Sequence, residues 1–245
     1  MPTCSHCGET LSSYSLLCSH LVKCKSTPVV CRINRKEFGE KLFACCASNS
    51  LDNLKAFLHE QTESVATFEV VEGSQGKLHK RETALHAAVR NYNEKKHSLD
   101  VISFLLDQGI PVDTKYENYD QDHTIGCSQS SLACLTLGSC PLQAITLLLE
   151  RKADPNFVSQ HFSAGKEINN TPLHHTVEKF NLDATKLLLE HNADVNTEME
   201  TLYSQPRARV SGTPLIVLIR MHSRNAAFND TLFPVLSLLL EYLLC

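Results

Sequence analysis

Residues 171–196 read TPLHHTVEKFNLDATKLLLEHNADVN, and every local signal in them points to one structure. Thr171 suits an N-cap, its hydroxyl accepting from a first-turn N–H, and Pro172 falls at the first helical position, where no backbone donor is needed. Leu173 and Val177 then lie on one face of a helix, and His174 is placed to bond back toward Thr171. A short turn at Phe180 and Asn181 leads to a second helix over Asp183–His191, with Ala184, Leu187 and Leu188 on its buried side. Asn192 can take the left-handed conformation that closes it. The expected unit is a pair of antiparallel helices, and such a pair cannot bury its apolar stripe alone.

Related units therefore belong on either side, and the sequence supplies them. Thr83 to His86 (TALH) opens one, closing on Phe104, Leu105 and Leu106 and then Val112-Asp113. Ser130, Ser131 and Leu132 open another, closing on Leu147, Leu148 and Leu149 and on Ala153 to Asn156. Thr213, Pro214 and Leu215 open a third, ending in Leu238, Leu239 and Leu240. Upstream, Leu42 to Leu58 aligns without gaps as a degenerate first unit. With these openings and Leu-Leu pairs, residues 40–244 resemble the ankyrin repeat family, whose TPLH opening gives its histidine the bond back to the threonine. The resemblance implies a mainly α solenoid of about five helix-turn-helix units with long hairpin loops; residues 1–27, by their own spacing, add a small ββα zinc finger.

The openings at 83, 130, 171 and 213 are 47, 41 and 42 residues apart, against the ~33 of a regular ankyrin repeat. Extra residues fall in the connections 114–129, 157–170 and 197–212, and in the turns near residues 91–97 and 222–231. Segment 65–82, with Val65, Phe68, Val70 and Val71, hints at an extended hairpin. Aromatic and Arg side chains on loops held by a rigid scaffold are the types that anchor protein interfaces. Tyr116, Tyr119, Phe157, His161, Phe162, Tyr203, Arg207 and Arg209 are accordingly the candidate partner-binding residues. The resemblance also implies a modification site: Leu188 with Asp194-Val195-Asn196 is similar to the context in which ankyrin asparagines are hydroxylated by an oxygenase, Asn196 being the acceptor.

Residues 1–27 carry the sharpest metal motif. Cys4 and Cys7 are separated by two residues, and His20 and Cys24 would share one helical face, which is the spacing of a finger holding structural Zn²⁺ in four protein ligands. Leu11 and Leu17 fill its two core positions. The surface such a helix would turn to DNA offers Ser13, Ser15, Leu16 and Ser19, which disfavours base readout. Residues 28–39 read as a linker, mildly basic with the residues before it through Lys23, Lys25, Arg32, Arg35 and Lys36, and 40–245 as the repeat domain.

The chain has 245 residues, 42% hydrophobic and 20% charged, with a formal net charge of −4, so no polyelectrolyte force draws the whole molecule to nucleic acid or an acidic membrane. Neither a signal peptide nor a stretch of ~18 apolar residues is expected, which points to the cytoplasm or nucleus and to reduced thiols among the 11 cysteines. Gly73 to Lys77 fails as a phosphate loop because Leu78 stands where Ser or Thr would hold magnesium. A Cys–His pair adjacent only in the fold is the enzymatic arrangement left open. Leu232–Leu244 reads as a helix apolar almost all round, to be covered by a partner, a second copy or further units. The expected function is a non-enzymatic adaptor or scaffold binding a protein through its inner helices and loops. The alternatives are a nucleic-acid regulator using the finger and basic joint, and a bacterial effector of host cells.

Overall fold

The computed structural model describes residues 35–48, 50–59, 69–74, 77–95, 99–120, 125–163, 165–204, 207–224 and 229–244. The expected zinc ligands Cys4, Cys7, His20 and Cys24 lie outside them. Ten helices among these residues form five consecutive pairs: α1 (Arg35–Ser48) with α2 (Leu51–His59), α3 (Ala84–Lys95) with α4 (Leu99–Asp107), α5 (Ser131–Leu137) with α6 (Leu142–Glu150), α7 (Pro172–Glu178) with α8 (Leu182–Glu190), and α9 (Pro214–Arg224) with α10 (Asn229–Leu244). The first members stack in one row and the second members in another. Leu105, Leu148 and Leu188, the layer-forming leucines of three successive pairs, are each fully buried in one apolar core.

The mainly α expectation is corrected by the connections. They form an eight-stranded antiparallel sheet: β1 (Glu69–Ser74), β2 (Lys77–Thr83), β3 (Tyr116–Tyr119), β4 (Gly126–Gln129), β5 (Ser159–Ser163), β6 (Lys166–Asn170), β7 (Met199–Ser204) and β8 (Arg207–Gly212), in sequence order across the sheet. The surplus residues of each long repeat account for it. A connection of 14 to 16 residues is long enough for two strands and a tight turn, at about 3.3 Å per residue. Because the units stack side by side, each hairpin pairs with the next, β4 with β5 and β6 with β7, and no backbone edge is left between repeats.

The helix termini are closed by local chemistry. The Thr171 N–H lies 3.3 Å from His174 Nδ1 and the Thr171 hydroxyl 2.9 Å from it, while His174 Nε2 reaches the Gly212 carbonyl of the next hairpin at 3.3 Å. Thr83 and His86 repeat the pattern, with His86 Nε2 2.9 Å from the Thr114 carbonyl. Each histidine thus ties a helix start to the following connection. In the unit between them Ser130 Oγ accepts from the Ala133 N–H instead. At the other end of α5, Lys179 Nζ donates to the carbonyls of Thr136, at 2.8 Å, and of Leu137 and Gly138. It satisfies acceptors that a helix C-terminus leaves open.

The second helices end on a left-handed residue, as expected at Asn192 (φ 67°); its equivalents are Gly109 (φ 84°) and Lys152 (φ 68°). Lys152 bears a Cβ in a conformation that disfavours one. Lys152→Gly is therefore expected to raise stability by about 0.5–1 kcal/mol, despite the greater freedom glycine gives the unfolded chain. An upward shift of the urea midpoint would show it.

Candidate partner-binding face

Strand register decides which side chains share a surface, because alternate residues point to opposite faces. One row of aligned residues runs Lys80, Asn118, Cys127, His161, Ile168, Thr201 and Val210. Tyr116 and Tyr203 have the same parity. This face is turned toward the helices: the Tyr116 ring lies 5.8 Å from that of His86 and under the Arg90 guanidinium of α3, and His161 lies 6.3 Å from His175 of α7. The opposite face carries Arg81, Glu117, Ser128, Gln160, Asn169 and Glu200, and, two residues along, Tyr119, Phe162, Leu202 and Arg209.

The eight expected partner residues are thus divided. Tyr116, His161 and Tyr203 share the helix-side face. Tyr119, Phe162, Arg207 and Arg209 are on the outer one, and Phe157 precedes β5 in a turn. Tyr119 and Phe162 meet ring to ring at 5.9 Å across Gly126, where an added Cβ would lie 2.4 Å from the Asn118 carbonyl oxygen and 2.5 Å from the Tyr119 ring. That pair closes the sheet over a glycine, a structural task. Arg209 is held by Glu200, while Arg207 is exposed.

The helix-side face is polar and mixed in charge. Glu82 is buried between Arg90, at 2.6 Å, and Lys80, at 3.0 Å. Lys166 Nζ sits 5.7 Å from the centre of the Tyr203 ring. Burial raises the Glu178 carboxyl, with Lys166 and Lys179 acting against the rise. Beneath lies a histidine layer: His175 Nδ1 is 2.9 Å from Thr136 Oγ1 and its Nε2 2.9 Å from Asn170 Oδ1, and His161 Nε2 is buried without a hydrogen-bond partner. Burial holds both rings below their ordinary value.

Cys127 is aligned with His161, yet burial raises the thiol and lowers the imidazole, so both favour their neutral forms. Cys46 is likewise pushed up to about 12 by burial. Among the described residues no group of three or more His, Cys, Asp or Glu is placed to hold a metal ion, and no helix is long and apolar enough to cross a membrane.

Asn196 is exposed, its N–H bonded to Asp194 Oδ1 at 2.8 Å. The corresponding Asn156 is engaged: its Nδ2 donates to the Asn192 carbonyl at 3.0 Å, and its Oδ1 accepts from the Asp194 N–H at 2.7 Å. Arg90, Lys166 and Glu178 lie outside the loop aromatics and arginines expected at an interface. Arg90 could have been found from its place one residue past the apolar run Ala84–Val89, where a helix leaves the core.

Residues 80–116 and 169–199 match the family model of the ankyrin repeat. These are the second and fourth helical pairs with the strand ends that flank them. Ankyrin repeats support a role in protein–protein interaction in general. No curated protein matches the chain.

Proposed function

We propose that this protein is a non-enzymatic adaptor that binds a protein partner on the helix-side face of its sheet and the adjoining ends of the inner helices. The observation that carries the reading is the continuity of that face. Tyr116, His161 and Tyr203 come from three separate connections, and pairing of the hairpins aligns them on one surface beside Arg90 and Lys166. Half-exposed aromatics next to cations, on a sheet fixed by a buried helical core, supply preorganised contact area at low entropic cost. Residues 1–27 enter as a second docking module folded around Zn²⁺ held by Cys4, Cys7, His20 and Cys24, and Asn196 as a hydroxylation site on the exposed flank.

Affinity purification of the full chain from cells tests the reading. Proteins retained by the unaltered chain should be lost from Tyr203→Glu and Lys166→Glu, and kept by Lys186→Glu on the far side of α8. Equal retention by all three variants rejects the face. The second module predicts one equivalent of zinc released from purified protein by a thiol-blocking reagent, and none from the Cys7→Ser variant.

A further inference from the structure

The sheet ends in an edge that the helix-side reading does not use. Among the described residues β8 pairs with β7 alone, so one side of its backbone offers donors and acceptors to another strand, save the Ser211 carbonyl, which accepts from Arg220 Nη1 at 2.9 Å. Its sequence, Arg207-Ala-Arg-Val-Ser-Gly212, alternates strictly. Arg207, Arg209 and Ser211 point to the outer face, and Ala208, Val210 and Gly212 to the helix side.

The helix beside it continues the apolar side of that pattern. A Cβ on Gly212 would lie 2.9 Å from Ile216 Cγ2 and 3.1 Å from Arg220 Nη1, so Ile216 and Arg220 of α9 rest directly on the strand end. Ile216 and Ile219 occupy the places that His174 and Val177 hold in α7. Those two are covered by the following pair; Ile216 is 42% exposed, Ile219 55% and Val210 42%. An open strand edge and an open apolar stripe therefore adjoin each other.

Charge selects the occupant. On the outer face of this sheet arginines are met across strands by glutamates, Arg81 by Glu117 and Arg209 by Glu200. A second copy of β8 pairing antiparallel would instead bring Arg207 and Arg209 of both copies onto one face, where like charges on neighbouring strands repel. An incoming strand alternating acidic and apolar residues would meet Arg207, which Glu200 does not hold, with a carboxylate, and Val210 and Ile216 with aliphatic side chains.

We infer that β8, with Ile216 and Ile219 of α9, captures an extended acidic and apolar segment of a protein partner as a ninth antiparallel strand. Backbone hydrogen bonds supply the affinity and the alternating side chains the selectivity. This goes beyond the adaptor reading and can fail separately from it, since it concerns the sheet's edge and not its helix-side face.

Fluorescence anisotropy with the full chain tests it, using a fluorescein-labelled heptapeptide of alternating Glu and Val. The expected result is saturable binding that weakens as salt is raised and falls at least tenfold with Arg207→Glu, an exposed change whose effect on the fold is checked by thermal melting. The matching Lys and Val peptide should not bind. Two further peptides, N-methylated either on the Glu or on the Val nitrogens, separate strand addition from charge attraction. Only one edge of the peptide faces β8, so one of them should bind and the other should not. Equal behaviour of these two, binding indifferent to Arg207→Glu, or no binding by the parent peptide overturns the inference. So does a chain dimer in sedimentation equilibrium that Val210→Glu dissociates, because a second copy would then own the edge.

Discussion

Taking this protein from about pH 7 to about pH 5 is expected to remove about 4 kcal/mol of folding stability through two histidines alone. His86 and His174 are buried, and burial pushes both from the ordinary 6.5 down to about 4. Their hydrogen bonds point the same way. Nδ1 faces the backbone N–H of Thr83 or Thr171, an obligatory donor, beside the threonine hydroxyl, and Nε2 faces a carbonyl, so the neutral ring protonated on Nε2 fits and a second proton on Nδ1 would meet the backbone donor. Between the two values the unfolded chain binds protons that the folded chain refuses. The stability these rings contribute is therefore complete above 6.5 and lost as the pH falls toward 4.

Each histidine accounts for about 2 kcal/mol at about pH 5, a large share of the roughly 5–15 kcal/mol that holds a typical domain. His175, lowered further by burial and by the neighbouring His161, adds in the same direction. Asp113 and Glu178, raised by burial, bind protons more readily when folded and act the opposite way once the pH reaches the carboxylate range. Urea unfolding monitored by circular dichroism across this range would show the midpoint dropping. His174→Gln should flatten the slope while lowering stability at neutral pH. An unchanged slope in that variant would place the acid sensitivity elsewhere.

The helical half of the architecture was legible because it is written locally. The Thr-Pro-Leu-His opening, the left-handed Asn192 and the Leu-Leu pairs each follow from residues within one turn of each other, and the structure places them as read, except that α8 starts at Leu182 rather than Asp183 and buries Leu188 with Leu189, leaving the expected Leu187 partly buried. Of the sheet, only the first hairpin was legible, segment 65–82 holding β1 and all but the last residue of β2; the rest was not, for two reasons. Its inter-repeat pairs join residues about 35 apart, such as Cys127 and His161, and no local pattern announces them. Its strands also carry polar residues on both faces, as in Lys166-Glu-Ile-Asn-Asn170, so the apolar alternation that marks a half-buried strand is missing. The length of the later connections holds the information: it implies long hairpins but not that each pairs with the next.

The same cause split the candidate site. Loop aromatics are ambiguous until register assigns a face, and register depends on which hairpin lies next door. Tyr116 and Tyr119 differ by three positions and so fall on opposite sides, one against Arg90 of α3 and the other over Gly126. Residues supplied by helices, Arg90 and Ile216 among them, could not be joined to the loops before the stacking of the pairs was known.

Leu148→Ala is expected to cost about 3–4 kcal/mol and to divide a single unfolding transition into two. Leu148 is fully buried at the middle of the helical stack, and α6 packs against α4 on one side and α8 on the other. In a linear array each unit is held by its own helices and by its two interfaces, so a cavity in the central unit weakens both interfaces at once. The N-terminal and C-terminal pairs then lose their coupling, although the paired hairpins still bridge them. Hydrogen exchange followed by mass spectrometry should show residues 84–107 and 172–190 exchanging with one midpoint in the unaltered chain and with separate midpoints in the variant. Leu240→Ala, on the 41% exposed side of α10, should cost less than about 1 kcal/mol and leave the transition single. If Leu148→Ala lowered stability by the full amount while the transition stayed single, the continuous sheet, and not the leucine layers, would be what makes the repeats unfold together.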